Sequence, residues 1–375
     1  MRSPGLLFIV NSLAVGGAEK QVVTLLNHLP PGRFRLHLAY LKRSERLLPQ
    51  LDTTRLDSLV CCDIDRGIER RAVRQLRELI ETHQIDALVC TNTYSTLYGF
   101  LARRAARRRR PKLVTVFHTT LLRTLKEKAQ MLVYTRLFKR SDLLLYVCEN
   151  QRDYWRDRGL RAAADAVVHN GIDVDYFSDL QTPQQKLEMR SGLGLTPEDY
   201  VIGLCSALRP EKAHGDLLQA IAQLRSQGTP AKALFIGDGT ERPTIEAQAT
   251  ALGLREHIVI TGLQRDVRPY IGCCDVMTLV SHSIETFSLA ALESMALGKP
   301  LVMSDIGGAS EQVLHGQTGF LFEPGDIEAL TAHLQSLASQ TLRSRMGSAA
   351  QRRVRQLFTV DAMTTGFTEQ MVRLV

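Results

Sequence analysis

A chain of 375 residues is longer than one hydrophobic core ordinarily supports, so two domains are expected, and 44% hydrophobic residues suffice to fill both cores. The formal charge of +8 is lopsided: residues 1–180 carry 30 Lys and Arg against 19 Asp and Glu, the remainder 17 against 20, so the basic surface belongs to the N-terminal half. Seven cysteines, with adjacent pairs at Cys61-Cys62 and Cys273-Cys274, fit neither a disulfide framework nor a CxxC metal pattern, no apolar run nears the ~18 residues of a membrane span, and a reducing cytoplasm is the compartment that suits them.

The start of the chain copies the outline of a signal peptide, but Asn11-Ser12 breaks the apolar run. The same residues read as a buried first strand, 6–10, ending in a glycine turn. Further short apolar runs follow at 35–41, 87–90, 113–117, 143–148 and 166–169, alternating with periodic helical stretches, which predicts one doubly wound unit. Residues 170–196, rich in Asp, Gln, Gly and Pro, read as a connection between domains. A second series at 201–206, 233–236, 258–261, 276–280, 301–303 and 319–322 predicts a second unit of the same kind, and the tail after Asp326 has helical spacing. The expected fold class is therefore α/β, two doubly wound parallel-sheet domains, with a ligand in a cleft at the carboxyl ends of the strands.

Several residues in this frame could carry chemistry. Gly16 and Gly17 follow the first strand and precede a helical stretch, where glycine lets the backbone approach a phosphate and a helix N-terminus adds donors. A plain tight turn fits the pair equally well. His118 directly follows strand 113–117, a position from which it could hydrogen-bond a substrate hydroxyl, or simply be a satisfied buried histidine. Arg209 and Lys212, three apart in the loop after strand 201–206, suit a diphosphate, although a solvated charged loop is the commoner fate of such a run.

The segment Glu285-Thr-Phe-Ser-Leu-Ala-Ala-Leu-Glu293 lies at a loop-to-helix junction. Thr286, Phe287 and Ser288 would offer backbone amides to an anion, and Glu293 falls roughly 80° round the helix from Glu285, so both carboxylates can grip vicinal hydroxyls. Alone, the two glutamates read better as a helix-terminal charge at Glu285 and a surface residue at Glu293. The run 103–110 holds six arginines in eight residues, followed by Arg123, Lys126, Lys128, Arg136, Lys139 and Arg140 with Leu121, Leu122, Leu125, Leu132 and Val133 nearby. Without aromatic interleaving or zinc spacing, nucleic acid is not expected as a partner, and an anionic membrane surface suits the composition better, although leucines so placed are more often core than lipid-facing. No dinucleotide fingerprint, P-loop, GxSxG or HExxH is present, and no acidic pair with DxD spacing is suited to a metal-diphosphate.

Taken in order, these pieces resemble the family-4 (GT4) retaining, nucleotide-sugar-dependent glycosyltransferases of the GT-B superfamily. The resemblance is carried by Gly16-Gly17-Ala18-Glu19, His118, His169-Asn-Gly-Ile-Asp173, Ala207-Leu-Arg-Pro-Glu-Lys212, Gly237-Asp-Gly239, Gly262 with Asp266-Val267, Glu285 with Glu293, and Ala296-Leu-Gly-Lys-Pro300 with Gly307-Gly308. It implies a GT-B fold: an acceptor-binding domain over 1–180, a nucleotide-sugar domain over 181–355, and a final helix over 356–375 packing back on the first domain. It implies that Glu285 contacts the donor sugar and Glu293 the ribose, that Lys212 and Arg209 neutralise the leaving diphosphate, and that His118 lies near the transferred sugar. The implied nucleotide-sugar-binding set adds Gly16, Gly17, Gly237, Gly262, Val267, Thr286, Phe287, Ser288 and Leu289. Many members have Gly-Arg-Leu where this chain has Ser206-Ala207-Leu208, so the usual arginine is absent at Ala207, and whether Arg209, two residues on, replaces it is open, which leaves the arginine role less secure than that of Lys212. The expected reaction is hexosyl transfer from a nucleotide-sugar, UDP-linked by preference, to a glycan, lipid-linked or small-molecule acceptor in polysaccharide or glycolipid synthesis. No metal or cofactor is expected. A nucleotide-sugar epimerase of the same superfamily and a non-catalytic nucleotide-sugar-binding protein remain the alternatives.

Overall fold

The computed structural model describes residues 2–119, 125–178, 181–283 and 285–375, with side chains throughout these except at 125–130. Leu121, Leu122 and Arg123 lie outside the described residues, as do the side chains of Leu125, Lys126 and Lys128. The chain forms two units, Met1–Gly171 with Val360–Val375 and Ile172–Thr359.

Strand β1 (Gly5–Val10) shows how the sequence builds the first sheet. All six residues are buried, and the two-residue period sends Leu6, Phe8 and Val10 into one core and Leu7 and Ile9 into another. Helix α1 (Gly17–His28) returns to β2 (Arg35–Tyr40), parallel to β1, and β3 (Ser58–Cys61) flanks β2. Helix α2 (Arg70–Thr82) crosses to β4 (Ala87–Thr91) on the other side of β1. From there α3 (Asn92–Ala105), β5 (Lys112–Phe117), α4 (Leu125–Phe138), β6 (Leu143–Tyr146), α5 (Glu149–Asp157) and β7 (Asp165–Val167) continue outward. Among the described residues the sheet runs β3-β2-β1-β4-β5-β6-β7, so its order reverses between β1 and β4.

The second unit opens with α6 (Pro183–Gly192) and β8 (Tyr200–Cys205), followed by α7 (His214–Ser226), β9 (Ala231–Ile236), α8 (Arg242–Ala251) and β10 (Ile258–Ile260) on one side of β8. Helix α9 (Arg268–Cys273) carries the chain to β11 (Val276–Leu279) on the other side, then come α10 (Leu289–Ala296), β12 (Leu301–Ser304), α11 (Ala309–Gln312) and β13 (Gly319–Phe322). The order is β10-β9-β8-β11-β12-β13, all parallel, reversing between β8 and β11. Helices α12 (Ile327–Ser336) and α13 (Gln340–Leu357) close this unit. Since α13 runs unbroken past position 356, the last helix, α14 (Val360–Leu374), starts at Val360; it packs in the first unit, where Met363, Phe367 and Met371 enter the core of α1 and Phe367 meets Phe8 at 5.8 Å between ring centroids.

Two segments depart from the sequence expectation. The stretch read as a plain connection contains α6, set by Thr182: its hydroxyl accepts the Gln185 amide at 3.2 Å, the Gln185 side chain accepts the Thr182 amide at 2.9 Å, and Pro183 occupies the first turn. Strand β3 was not expected: it is a half-buried edge strand of four residues whose apolar run, Leu59-Val60-Cys61, is short. All seven cysteines are free thiols, and among the described residues no helix is long and apolar enough to cross a membrane.

Candidate active site

Ligands of open α/β sheets gather where the strand order reverses, at the carboxyl ends of the two strands that part there. In the second unit these are β8 and β11. The loop after β8 makes a short 3₁₀ turn, Pro210–Lys212, and the loop after β11 carries Glu285. The two loops meet through side chains and backbone alike. Lys212 Nζ donates to Glu285 Oε1, Ser281 Oγ donates to the same oxygen at 3.3 Å, and the His282 amide donates to the Glu211 carbonyl at 3.1 Å. His282 Nε2 also lies 2.6 Å from Asp216 Oδ2 on α7.

Burial pushes the Lys212 ammonium down to about 8, with Glu211 opposing and Arg209 assisting. The Glu285 carboxylate in contact favours the charged form, so the pair is an ion pair at neutral pH. Arg209 by contrast is exposed and forms no ion pair among the described residues. Of the two cations expected to act together, the structure brings only Lys212 to Glu285.

The entry to α10 is clamped by a residue that sequence reasoning did not single out. Gln312 accepts the Ser288 amide at 3.0 Å and donates to the Ser288 carbonyl at 2.8 Å. The Ser288 amide, expected to face an anion, is thus directed at Gln312. Ser288 caps α10 by accepting the Ala291 amide at 3.4 Å, Leu289 opens the helix, and Phe287 packs edge-on to Phe358 at 5.3 Å. Thr286 is buried, and its carbonyl accepts the Gly308 amide at 2.7 Å. Gly307 has φ +57°, and a Cβ there would run into the Glu285 carbonyl, so glycine is required for the strand β12 loop to lie against the Glu285 backbone. Glu293 is 4% exposed, within α10. A carboxylate that deeply placed is not the surface residue that helical spacing alone allowed.

The other loops of this unit are stitched to the same place. Gly237, at φ +147°, lets the chain after β9 pass against the Ser206 carbonyl, and it bridges antiparallel to Gly262. The Leu208 amide donates to the Asp238 carbonyl at 3.0 Å. Val267 precedes α9, where Asp266 holds Arg268 at 2.6 Å and is itself kept below the usual carboxylate range by that hydrogen bond. His214, at the start of α7, is buried, contacts Ser206 Oγ at 3.1 Å and is pushed down to about 4 by burial and then by Lys212, so it is a neutral imidazole.

In the first unit the reversal lies between β1 and β4. Gly16 caps α1 in extended backbone, φ −158°, and the end of the Glu19 side chain occupies the space beside its Cα. Glu19 folds over this helix start, and burial raises its carboxyl. Gly17 is the first residue of α1. His118 leaves β5 within a frame of hydrogen bonds. Its amide donates to Asn92 Oδ1 at 2.9 Å, Gln151 Nε2 donates to the flanking Phe117 and Thr119 carbonyls at 2.8 and 3.2 Å, and Trp155 Nε1 donates to Thr119 at 2.8 Å. Burial pushes the imidazole down to about 4, leaving it neutral. Asn92, at φ +65°, opens α3 in the left-handed region that asparagine tolerates. His118 also lines a cavity of about 40 Å³ with Gln21, Thr91 and Asn170. Among the described residues no group of three or more His, Cys, Asp or Glu side chains is gathered for a metal ion.

Known proteins resemble this chain in sequence and in fold. Residues 185–353 match the family model described as glycosyl transferases group 1, and residues 15–176 match that of Glycosyltransferase Family 4. The GDP-mannose-dependent alpha-(1-6)-phosphatidylinositol monomannoside mannosyltransferase of Mycolicibacterium smegmatis is 26% identical over 285 residues, 74% of this chain and 73% of its own. The N-acetyl-alpha-D-glucosaminyl L-malate synthase of Bacillus anthracis is 30% identical over 201 residues, 53% of this chain and 51% of that protein, so the match spans about half its length. Among solved structures, Anabaena HepE in complex with UDP superposes with a TM-score of 0.85 at 24% identity, covering 98% of this chain and 100% of that one. The same protein with UDP-glucose gives 0.84 at 23% identity, covering 98% and 99%. Two parallel-sheet units, a switch-point site in each and family models matched in both halves converge: the chain belongs to the GT4 family of glycosyltransferases and has the GT-B fold.

Proposed function

We propose that this glycosyltransferase is a retaining hexosyltransferase that takes its sugar from a UDP-linked donor held by the second unit and delivers it to a hydroxyl of a glycan or lipid-linked acceptor. The observation that carries this reading is the contact between Lys212 and Glu285 at the switch point of the second sheet. A cation and a carboxylate held together there match the two ends of the bond to be broken, an anionic diphosphate and a polyhydroxyl ring. Relatives support a nucleotide-linked donor without fixing the base: HepE was solved with UDP and UDP-glucose, whereas the M. smegmatis enzyme is named for GDP-mannose.

Cleaving the bond between anomeric carbon and phosphate oxygen places positive charge on the sugar and negative charge on the departing diphosphate. Lys212 and the exposed Arg209 neutralise that charge, and the amides at the start of α10 other than that of Ser288 assist, so the leaving group needs no metal. Glu285 accepts hydrogen bonds from sugar hydroxyls, and Glu293, buried in α10, accepts from the ribose. Gly237, Gly262 and Val267 line the backbone beside the base. The acceptor oxygen attacks the face from which the diphosphate leaves, and a diphosphate oxygen takes its proton. No covalent enzyme nucleophile enters this scheme. His118, neutral, hydrogen-bonds a hydroxyl near the transferred sugar, and Gly16 and Gly17 lie toward the phosphates.

The test is Glu285→Gln, which keeps shape and removes charge. Transfer measured with UDP-sugars should fall by at least about 100-fold, while UDP still raises the thermal midpoint by mass action. Wild-type turnover by the variant would remove Glu285 from the chemistry. A panel of UDP, GDP and ADP in the same thermal assay identifies the base, and activity unchanged by a chelator is the outcome expected of metal-free transfer.

A further inference from the structure

Helix α4 turns toward solvent a face that neither the fold nor the transfer chemistry uses. At 100° per residue, Met131, Tyr134, Leu137 and Phe138 share one side, where they pack with Phe117 and Trp155. The opposite side carries Leu132, Val133 and Arg136, and Lys139 and Arg140 follow in the turn just after the helix, all exposed, with Leu132 at 71% and Val133 at 66%. No acidic side chain from 131–140 interrupts this face.

Below its C-terminal end the arginine run gathers. Asp142 joins the loops that lead into β5 and β6, taking Arg103 at 2.7 Å, Lys112 at 4.0 Å and the Leu113 amide at 2.8 Å. Arg140 lies 5.7 Å from the Phe100 ring on α3, which ties the end of α4 to the same rim. Asp86 pairs with Arg109 and, at 3.6 Å, with Arg2. The local carboxylates are thus already engaged. Arg104, Arg107, Arg108 and Arg110 are exposed, and like Arg136 and Lys139 they form no ion pair among the described residues. A rim of uncompensated cations therefore continues into a helix face that mixes cations with two adjacent aliphatic side chains.

We propose that this surface, the outer face of α4 with the arginine rim at 104–110, docks the first unit on an anionic lipid bilayer. Leu132 and Val133 enter the boundary between headgroups and acyl chains, and the flanking cations meet lipid phosphates. Nucleic acid would use the cations but gain nothing from two exposed aliphatics, and the face offers no exposed aromatic for base stacking. The inference stands apart from the transfer reading, since none of these residues belongs to the proposed site. Where both hold, an acceptor embedded in the same bilayer is presented to the unit that carries His118.

Co-sedimentation of the full chain with phosphatidylcholine vesicles, with and without phosphatidylglycerol, tests it. The protein should pellet with the anionic vesicles and stay in solution with the neutral ones. The double variant Leu132→Ser/Val133→Ser changes only exposed side chains and should bind at least about tenfold more weakly. Replacing Arg104, Arg107, Arg108 and Arg110 by Gln should weaken binding about fivefold per charge. Circular dichroism and thermal midpoints equal to wild type certify that the variants fold. Wild-type protein left in the supernatant with anionic vesicles overturns the proposal. So does a serine variant that partitions like wild type, or salt-sensitive binding of duplex DNA at least as tight as that of vesicles.

Discussion

Lys212 sits where two requirements conflict. Burial lowers its proton affinity to about 8, yet neutralising a diphosphate needs the ammonium. Being depressed from the usual lysine value, the group loses its proton as pH rises through about 8. We therefore expect kcat/KM, which reports the free enzyme, to fall above that pH with a single ionisation, and Lys212→Arg to remove the fall because guanidinium does not titrate there. A flat wild-type profile to pH 9.5 would dissociate Lys212 from the chemistry. The next residue carries strain of another kind. Ala213 opens α7 at φ +49°, ψ 43°, a left-handed conformation that costs an L-residue about 1 kcal/mol or more. Ala213→Gly relieves it, less the entropy that glycine adds to the unfolded chain, for a net gain of roughly 0.5 kcal/mol. A denaturant midpoint below wild type would contradict this.

At the scale of elements, the start of α10 is held by contacts from distant parts of the sequence. Gln312 pairs with both backbone groups of Ser288, and Gly307-Gly308 lies against Glu285 and Thr286. Gly307→Ala would add a Cβ against the Glu285 carbonyl at a position already at positive φ. It should cost about 1–3 kcal/mol and displace Glu285, so transfer should drop more than unfolding alone explains, as seen by comparing activity per folded molecule. These contacts also show what a sequence can reveal. The strands were legible because a sheet covered on both faces demands continuous apolar runs such as Leu6 to Val10, and Lys212 and Glu285 because each sits just past such a run. Gln312, Gln151 and Asn92 were not, since each acts on backbone atoms 24 to 34 residues away and no local spacing encodes that. Helix α6 is different: Thr182-Pro183-Gln184-Gln185 is a readable capping box inside a stretch whose polarity suggested only a connection.

Among the described residues burial lowers the proton affinity of five histidines, and three of them are pushed down furthest. His37, His118 and His214 are each pushed down to about 4, below the ordinary 6.5. Because the unfolded chain binds these protons and the native chain does not, stability should be intact above about pH 6.5 and decline as pH falls toward 4, where the native imidazoles also protonate. Each such group contributes a slope of up to about 1.4 kcal/mol per pH unit in that window. Urea midpoints measured between pH 7.5 and 4.5 check this, and midpoints independent of pH over that range would refute it.

Helix α14 adds a consequence in time. Synthesis produces residues 1–171 long before residues 360–375, yet Met363, Phe367 and Met371 belong to the core those early residues build. The unit begun first is thus completed second, and the intervening Ile172–Thr359 unit, whose strands and helices are contiguous in sequence, is free to fold while its predecessor waits with one flank of its core uncovered.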